Sequence, residues 1–188
     1  DLPAKAREGR SAEILRCIAC QACIAHYHAG DALRCAINPR TGRERSWRPA
    51  EATTAPRRLV VVGAGPAGLA AAAEAVAAGH RVVVLERSEW VGGQQALAAA
   101  SPGGGPIANG LLANHRRTLA AVDLRLGSEA TPETVGALEP DGVVVAAGAR
   151  PYAPPLSLDG IRVAQAWDAL AEPGAFTGHV VVADWGGD

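Results

Sequence analysis

The chain has 188 residues and a formal charge of −1, with 18 Lys and Arg against 19 Asp and Glu. That balance, with aromatics at only 4% and basic residues interleaved with acids, excludes a nucleic-acid-binding surface. No stretch reads as a secretory signal, so the four cysteines are expected to be reduced thiols in a cytoplasmic protein.

Residues 1–16 show no strong periodicity. Cys17, Cys20, Cys23 and Cys35 then follow with the spacing C-x2-C-x2-C-x11-C, and the chain holds no other cysteine. A disulfide scaffold would scatter its cysteines; this pattern brings four thiolates to one point, as a metal centre requires. Structural zinc sites with four cysteines usually pair two C-x2-C knuckles, and there is no second knuckle here. A triple run with one distant cysteine favours a [4Fe-4S] cluster. Zinc stays open as the alternative; His26 and His28 could replace a thiolate in such a site, but four cysteines already suffice. Residues 1–58 carry eleven Lys and Arg against six Asp and Glu, whereas residues 59–188 carry seven against thirteen. The basic half suits an anionic cluster, although a solvated basic surface explains the same charges.

Residues 36–56 are polar and Pro-containing, and read as loop and linker. Arg58–Val62 (RLVVV) is a predicted buried parallel strand. Gly63-Ala64-Gly65-Pro66-Ala67-Gly68 follows, then an alanine-rich helix over Leu69–Ala78 stopped by Gly79. Arg81–Leu85 is the next strand, with Glu86 at its C-terminal end. Strand, G-x-G-x-x-G, helix, strand and acid form the context that makes this motif specific for a dinucleotide. Gly63 permits the tight turn, Gly65 admits a pyrophosphate to the backbone, and Gly68 lets helix and strand pack closely. The helix start at Pro66 and Ala67 presents its dipole to the phosphates. Glu86 is expected to accept hydrogen bonds from the ribose hydroxyls; Arg87 beside it argues weakly the other way. Leu59–Gly79 is apolar enough to suggest a membrane span, but Gly-Pro in its middle and its Ala/Gly composition support the strand–turn–helix reading instead.

Trp90–Gln95 reads as a glycine turn and Ser101–Pro106 as a loop. Ile107–Ala121 is predicted helical and Val122–Leu126 a short strand. Thr131-Pro132-Glu133 starts a helix. Asp141–Ala146 holds another strand, followed by Ala147-Gly148. Pro151–Pro155 is a loop, Gln165–Ala171 a short helix and His179–Ala183 a final strand. Alternating strands and helices predict an α/β chain with a Rossmann-like, doubly wound parallel sheet, preceded by a loop-rich cysteine segment. The expected divisions are 1–50, 57–178 and the start of a further domain over 179–188. With no methionine and an end just after a predicted strand, the chain is expected to be part of something longer.

These motifs together resemble the iron–sulfur flavoenzymes related to 2,4-dienoyl-CoA reductase and trimethylamine dehydrogenase, within the old yellow enzyme-like NADH:flavin oxidoreductases. The resemblance is carried by RCIACQAC (16–23), CAINPRTGRE (35–44), VVVGAGPAGLAAA (60–72), VVVLER (82–87), GGQ (92–94) and GVVVAAGARP (142–151). It implies a preceding FMN-binding barrel, whose tail would be residues 1–10, and an NAD(P)H-binding-like domain opening at 179–188. It implies FAD, or ADP, held by the glycine loop, Glu86, Arg87, Gly93, Gln94, Ala147 and Gly148. In a reductase, electrons would pass from NAD(P)H through FAD and the cluster to FMN. In an amine dehydrogenase, the nucleotide would be non-redox ADP, and the cluster would export electrons to a carrier protein. Two features depart from the pattern. Only Gln21 and Ala22 separate the second and third cysteines, as in the amine dehydrogenases, while the gap to Cys35 is closer to the reductases. The family's Ala-Thr-Gly is Ala146-Ala147-Gly148 here, which removes a hydroxyl but keeps the glycine. No residue of the chain reads as an acid, base or nucleophile, so the resemblance places substrate chemistry on the barrel.

Overall fold

The computed structural model describes residues 2–47, 51–101, 103–152, 155 and 157–184. Three runs of consecutive β-branched residues become β1 (Arg58–Val62), β2 (Arg81–Leu85) and β4 (Gly142–Val145); the first two follow the pattern of buried parallel strands, whereas Val143, Val144 and Val145 of the edge strand β4 are exposed. With β3 (Asp123–Arg125) they form a parallel sheet of order β3-β2-β1-β4. Val61 pairs with Val84 on one side and Val144 on the other. This is the Rossmann-like α/β architecture expected from the alternation of elements.

Side chains alternate between the two faces. Val61, Val82 and Val84 pack under Leu69 and Ala72 of α3 (Pro66–Ala77), with Leu112, Leu119 and Val122 around them. Val60, Val83 and Leu85 face the opposite way, against Val135 of α7 (Pro132–Gly136) and Leu138. Each fully buried Val or Leu contributes about 1.5–3 kcal/mol, so the two central strands are the stable heart of the domain. α3 lies close to β1 because its inner face is small: a Cβ on Gly68 would overlap the Gly63 carbonyl oxygen. The other helices are α1 (Leu2–Arg7), α2 (Ala22–His28), α4 (Gln94–Ala100), α5 (Gly104–Asn114), α6 (Arg116–Ala121) and α8 (Ala166–Ala171).

Several boundaries differ from the sequence reading. α3 begins at Pro66, inside the glycine motif, because proline is preorganised for the first helical position. The turn and loop expected over 90–106 contain the start of α4 and of α5; Gly93 and Gly103, both at positive φ, make the sharp entries. The single helix expected over 107–121 breaks at His115 into α5 and α6. α1 and α2 carry no clear sequence signal, since each is short and lacks an apolar stripe. The Thr131 start is as expected, with a capping box to Thr134. The strand expected over His179–Ala183 is not formed in the described residues: Val181 is 91% exposed and Val182 86%. A strand needs a neighbour to pair with, and apolar alternation alone cannot supply one.

The chain divides into two compact units, residues 1–148 and 149–188. Within the second, Arg162 stacks over Phe176 at 4.5 Å and donates to the Ala175 carbonyl. Among the described residues no helix is long and apolar enough to cross a membrane.

Candidate functional site

The C-terminal ends of β1, β2 and β4 gather the glycine loop, Glu86 and the Ala147-Gly148 turn at one edge of the sheet, where parallel α/β sheets place their ligands. Gly63 extends the ladder through its N–H to the Leu85 carbonyl (2.8 Å), and Ala146 does so to Val62 (2.9 Å). Gly63 has φ +103, and a Cβ there would stand 2.5 Å from the Ala146 carbonyl oxygen. Gly63 and Gly68 are therefore required by the fold itself.

Gly65 is different. Its φ is −74, its ψ is 178, and a Cβ would meet nothing within 4 Å. Alanine could adopt that backbone without its methyl touching the rest of the chain. The reason for glycine lies outside the chain's own packing, which fits a pyrophosphate approaching this face. Gly65 caps α3 without a side-chain acceptor, so the N–H groups of Ala67 and Gly68 at the first turn keep their donors for an anion. Pro66, at the first helical position, contributes no donor.

Glu86 is 7% exposed. Its Oε2 accepts the Ala64 N–H at 2.8 Å and its Oε1 accepts the Ser88 N–H at 2.9 Å. The carboxylate thus ties the glycine loop to the end of β2, a duty invisible in the motif. Each oxygen retains a second lone pair, which is what ribose hydroxyls would use. Arg87 is exposed beside it.

The Gly92-Gly93-Gln94 turn docks on the same loop. Gly92 donates to the Ala64 carbonyl at 2.9 Å. Gly93 has φ 52, and a Cβ on it would lie 3.2 Å from the Gly65 Cα. The Gln94 amide nitrogen lies 3.7 Å from where a Gly148 Cβ would stand. Gly65, Glu86, Gly93, Gln94, Ala147 and Gly148 therefore share one rim, drawn from four separate stretches of sequence. The sequence reading missed Ser88 and Gly92 as parts of it. Gly92 belongs to the GGQ motif, while Ser88 carries no signal because only its backbone is used. A cavity of about 260 Å³ lies at the opposite sheet edge between Pro56, Arg58, Arg81, Glu139 and Asp141. Its mixed charges and its position at the strand N-termini set it apart from this rim.

The cysteine segment is less assembled. All four thiols are free; Cys20 and Cys35 are half-buried, and Cys17 and Cys23 are exposed. Among the described residues, no three His, Cys, Asp or Glu side chains lie close enough to hold a metal, so the expected four-thiol centre is not gathered. Thiolates at ligand distance repel one another until a cation binds them. The backbone nonetheless carries features a cluster would use. Ala19 (φ 54) and Gln21 (φ 62) take left-handed conformations between the cysteines, and the Ala19 N–H points to Cys17 Sγ at 3.4 Å. Arg34 and Arg43 line a shallow cavity of about 180 Å³ beside Cys35. The soft donor set fits iron or zinc. Arg40 holds this segment on α3 through one guanidinium nitrogen, Nη2, which donates to both Glu74 carboxylate oxygens (3.0 and 2.8 Å).

A parallel sheet with a glycine loop, buried acid and converging turns at its C-terminal edge defines a flavin- or nicotinamide-dinucleotide domain. Residues 58–140 match the family model for FAD dependent oxidoreductase, so this stretch of the chain is similar to that flavoenzyme family. It is 40% identical over 177 residues to an NADH oxidase of Thermoanaerobacter brockii, covering 90% of this chain and 27% of that protein. The fold matches a 2-naphthoyl-CoA reductase structure with TM-score 0.80 at 29% identity, covering 94% of this chain and 27% of that one. It matches histamine dehydrogenase from Rhizobium sp. 4-9 with TM-score 0.73 at 29% identity, covering 79% and 22%. The chain thus spans about a quarter of the length of these relatives.

Proposed function

We propose that this chain is the electron-transfer portion of an iron–sulfur flavoprotein oxidoreductase of the reductase type. FAD is held at the rim of Gly65, Glu86, Gly93, Gln94 and Gly148, and a [4Fe-4S] cluster by Cys17, Cys20, Cys23 and Cys35. FMN sits on a preceding barrel, and NAD(P)H is the electron donor, bound by a following domain. The observation that carries the reading is Gly65, a glycine the fold does not need, at the mouth of a helix whose first N–H groups stay available.

When bound, the flavin would exchange electrons in pairs or singly and the cluster singly. The chain's own residues bind and orient. Glu86 fixes the loop and offers its remaining lone pairs to the ribose. The α3 N-terminus meets the pyrophosphate, and Gly93 and Gly148 let backbone approach a flat ring beside Gln94. The broader match to the reductase structure supports the reductase reading over the amine dehydrogenase one, in which ADP replaces FAD and a carrier protein takes the electrons. The two-residue spacing between Cys20 and Cys23 favours that second reading.

Acid release and chromatography of the nucleotides from the parent protein separate the two: FAD with FMN supports the first, ADP with FMN and no FAD the second. Anaerobic metal analysis should give iron and sulfide in near-equal amounts, lost in Cys20→Ser. Stoichiometric zinc from protein purified under argon would remove the cluster from the reading.

A further inference from the structure

Asn114 closes α5, 98 residues away in sequence from Arg16. Its Oδ1 accepts the Arg16 N–H at 2.9 Å, and its Nδ2 donates to the Arg16 carbonyl at 3.0 Å. One carboxamide thereby pairs with both polar backbone groups of the residue directly before Cys17. The complementarity fixes the amide orientation, since the reverse would set donor against donor and acceptor against acceptor. One turn earlier on the same helix, a Cβ on Gly110 would stand 2.8 Å from Ile18 Cγ2. Arg16 and Ile18 flank Cys17, and α5 meets both.

The backbone just beyond Ile18 is strained. Ala19 and Gln21 both have positive φ, a conformation that costs a non-glycine residue about 1–2 kcal/mol. Such backbone persists only where its surroundings over-determine it. Arg16, Ala19 and Gln21 are exposed; besides the local bonds of the Ala19 N–H to Cys17 Sγ and of the Ala25 N–H to the Gln21 carbonyl, α5 is the packed element that meets this stretch, at Arg16 and Ile18. α5 in turn packs on α4, which starts at Gln94 in the nucleotide rim.

We propose that Asn114, with Gly110 beneath Ile18, is a positioning clamp that holds the first cysteine run in its ligand-bearing backbone before metal binds. Only the consequence for iron rests on the cluster reading; the clamp itself is measured without metal. Hydrogen exchange on the metal-free full chain should show protection of the Arg16 amide falling roughly tenfold in Asn114→Ala, the loss of one net hydrogen bond, with β1 and β2 amides unchanged. Gly110→Ala should speed exchange over residues 16–21, and adding Ile18→Ala should restore most of it, a rescue that general weakening of α5 would not give. After anaerobic reconstitution, Asn114→Ala should lose iron to a chelator several-fold faster than wild type. Unchanged Arg16 protection, or no rescue by Ile18→Ala, overturns the clamp whatever the iron does. Equal iron loss in both proteins overturns its positioning role. A wild type that takes up no iron removes the cluster reading, and the exchange result alone then decides the clamp.

Discussion

Replacing Gly65 by alanine separates the needs of the fold from those of the ligand. The new methyl meets no atom within 4 Å, and the backbone stays in an ordinary extended region. Two small terms act on stability. Removing glycine from the unfolded chain stabilises by about 0.4–1 kcal/mol. Placing alanine at a helix N-cap gives back a similar amount, roughly 0.5–1 kcal/mol. They offset, so the melting temperature should stay within a few degrees of wild type, at roughly 2–4 °C per kcal/mol for a domain of this size. The same methyl stands on the surface where a pyrophosphate would approach the α3 amides. Losing one hydrogen bond to a charged group is worth about 1.5–3 kcal/mol, so FAD affinity should fall on the order of ten- to a hundredfold. Gly68→Ala is the control with the opposite profile: its Cβ overlaps the Gly63 carbonyl, and overpacking of this kind costs about 1–3 kcal/mol or more. Calorimetric titration with FAD, alongside thermal melts, reads both quantities. Wild-type affinity in a stable Gly65→Ala would refute the placement of the pyrophosphate.

Gly63→Ala should destabilise the chain by at least about 2 kcal/mol, because positive φ and a 2.5 Å approach to Ala146 add together; urea titration measures it. Glu86→Gln should weaken the domain without ligand, since the loss of charge weakens the bonds from Ala64 and Ser88 by about 1–2 kcal/mol; an unchanged melting midpoint would show that Glu86 serves the ribose alone. Burial holds the His115 imidazole below its ordinary value of 6.5. The unfolded chain then binds the extra proton first, so this contribution to stability is complete above that value and declines as pH falls through the lower, folded one. His115→Leu should flatten the pH dependence of the melting temperature across that window. Arg40→Ala should cost under about 1 kcal/mol overall, because the pair with Glu74 is partly exposed, yet should speed proteolysis of the cysteine segment.

Most of the turn geometry at the C-terminal ends of the strands was legible because local sequence encodes it. A tight turn needs Gly63, a close helix needs Gly68, and Val60, Val61, Val82, Val83 and Val84 of β1 and β2 are buried at the centre of the sheet. The cysteine segment was legible as chemistry, through donor type and spacing, but not as geometry. Nothing in CIACQAC announces left-handed Ala19 or Gln21, since both residues ordinarily avoid that region. The helix break at His115 was likewise hidden, because the residues on both sides favour helix.

Sequence by itself determined the β1–α3–β2 unit, the acid at its end and the class of ligand, because these depend on residues a few positions apart whose steric requirements are intrinsic. Tertiary structure alone decided that Gly93 meets Gly65, that Gln94 reaches Gly148 and that Asn114 holds the peptide before Cys17. Each of those pairs joins stretches between 28 and 98 residues apart, and such contacts depend on how strands order in a sheet and how helices pack on it. The predicted strand over 179–183 shows the same limit from the other side: its pattern was present, but a strand exists only where another backbone is in place to receive its hydrogen bonds.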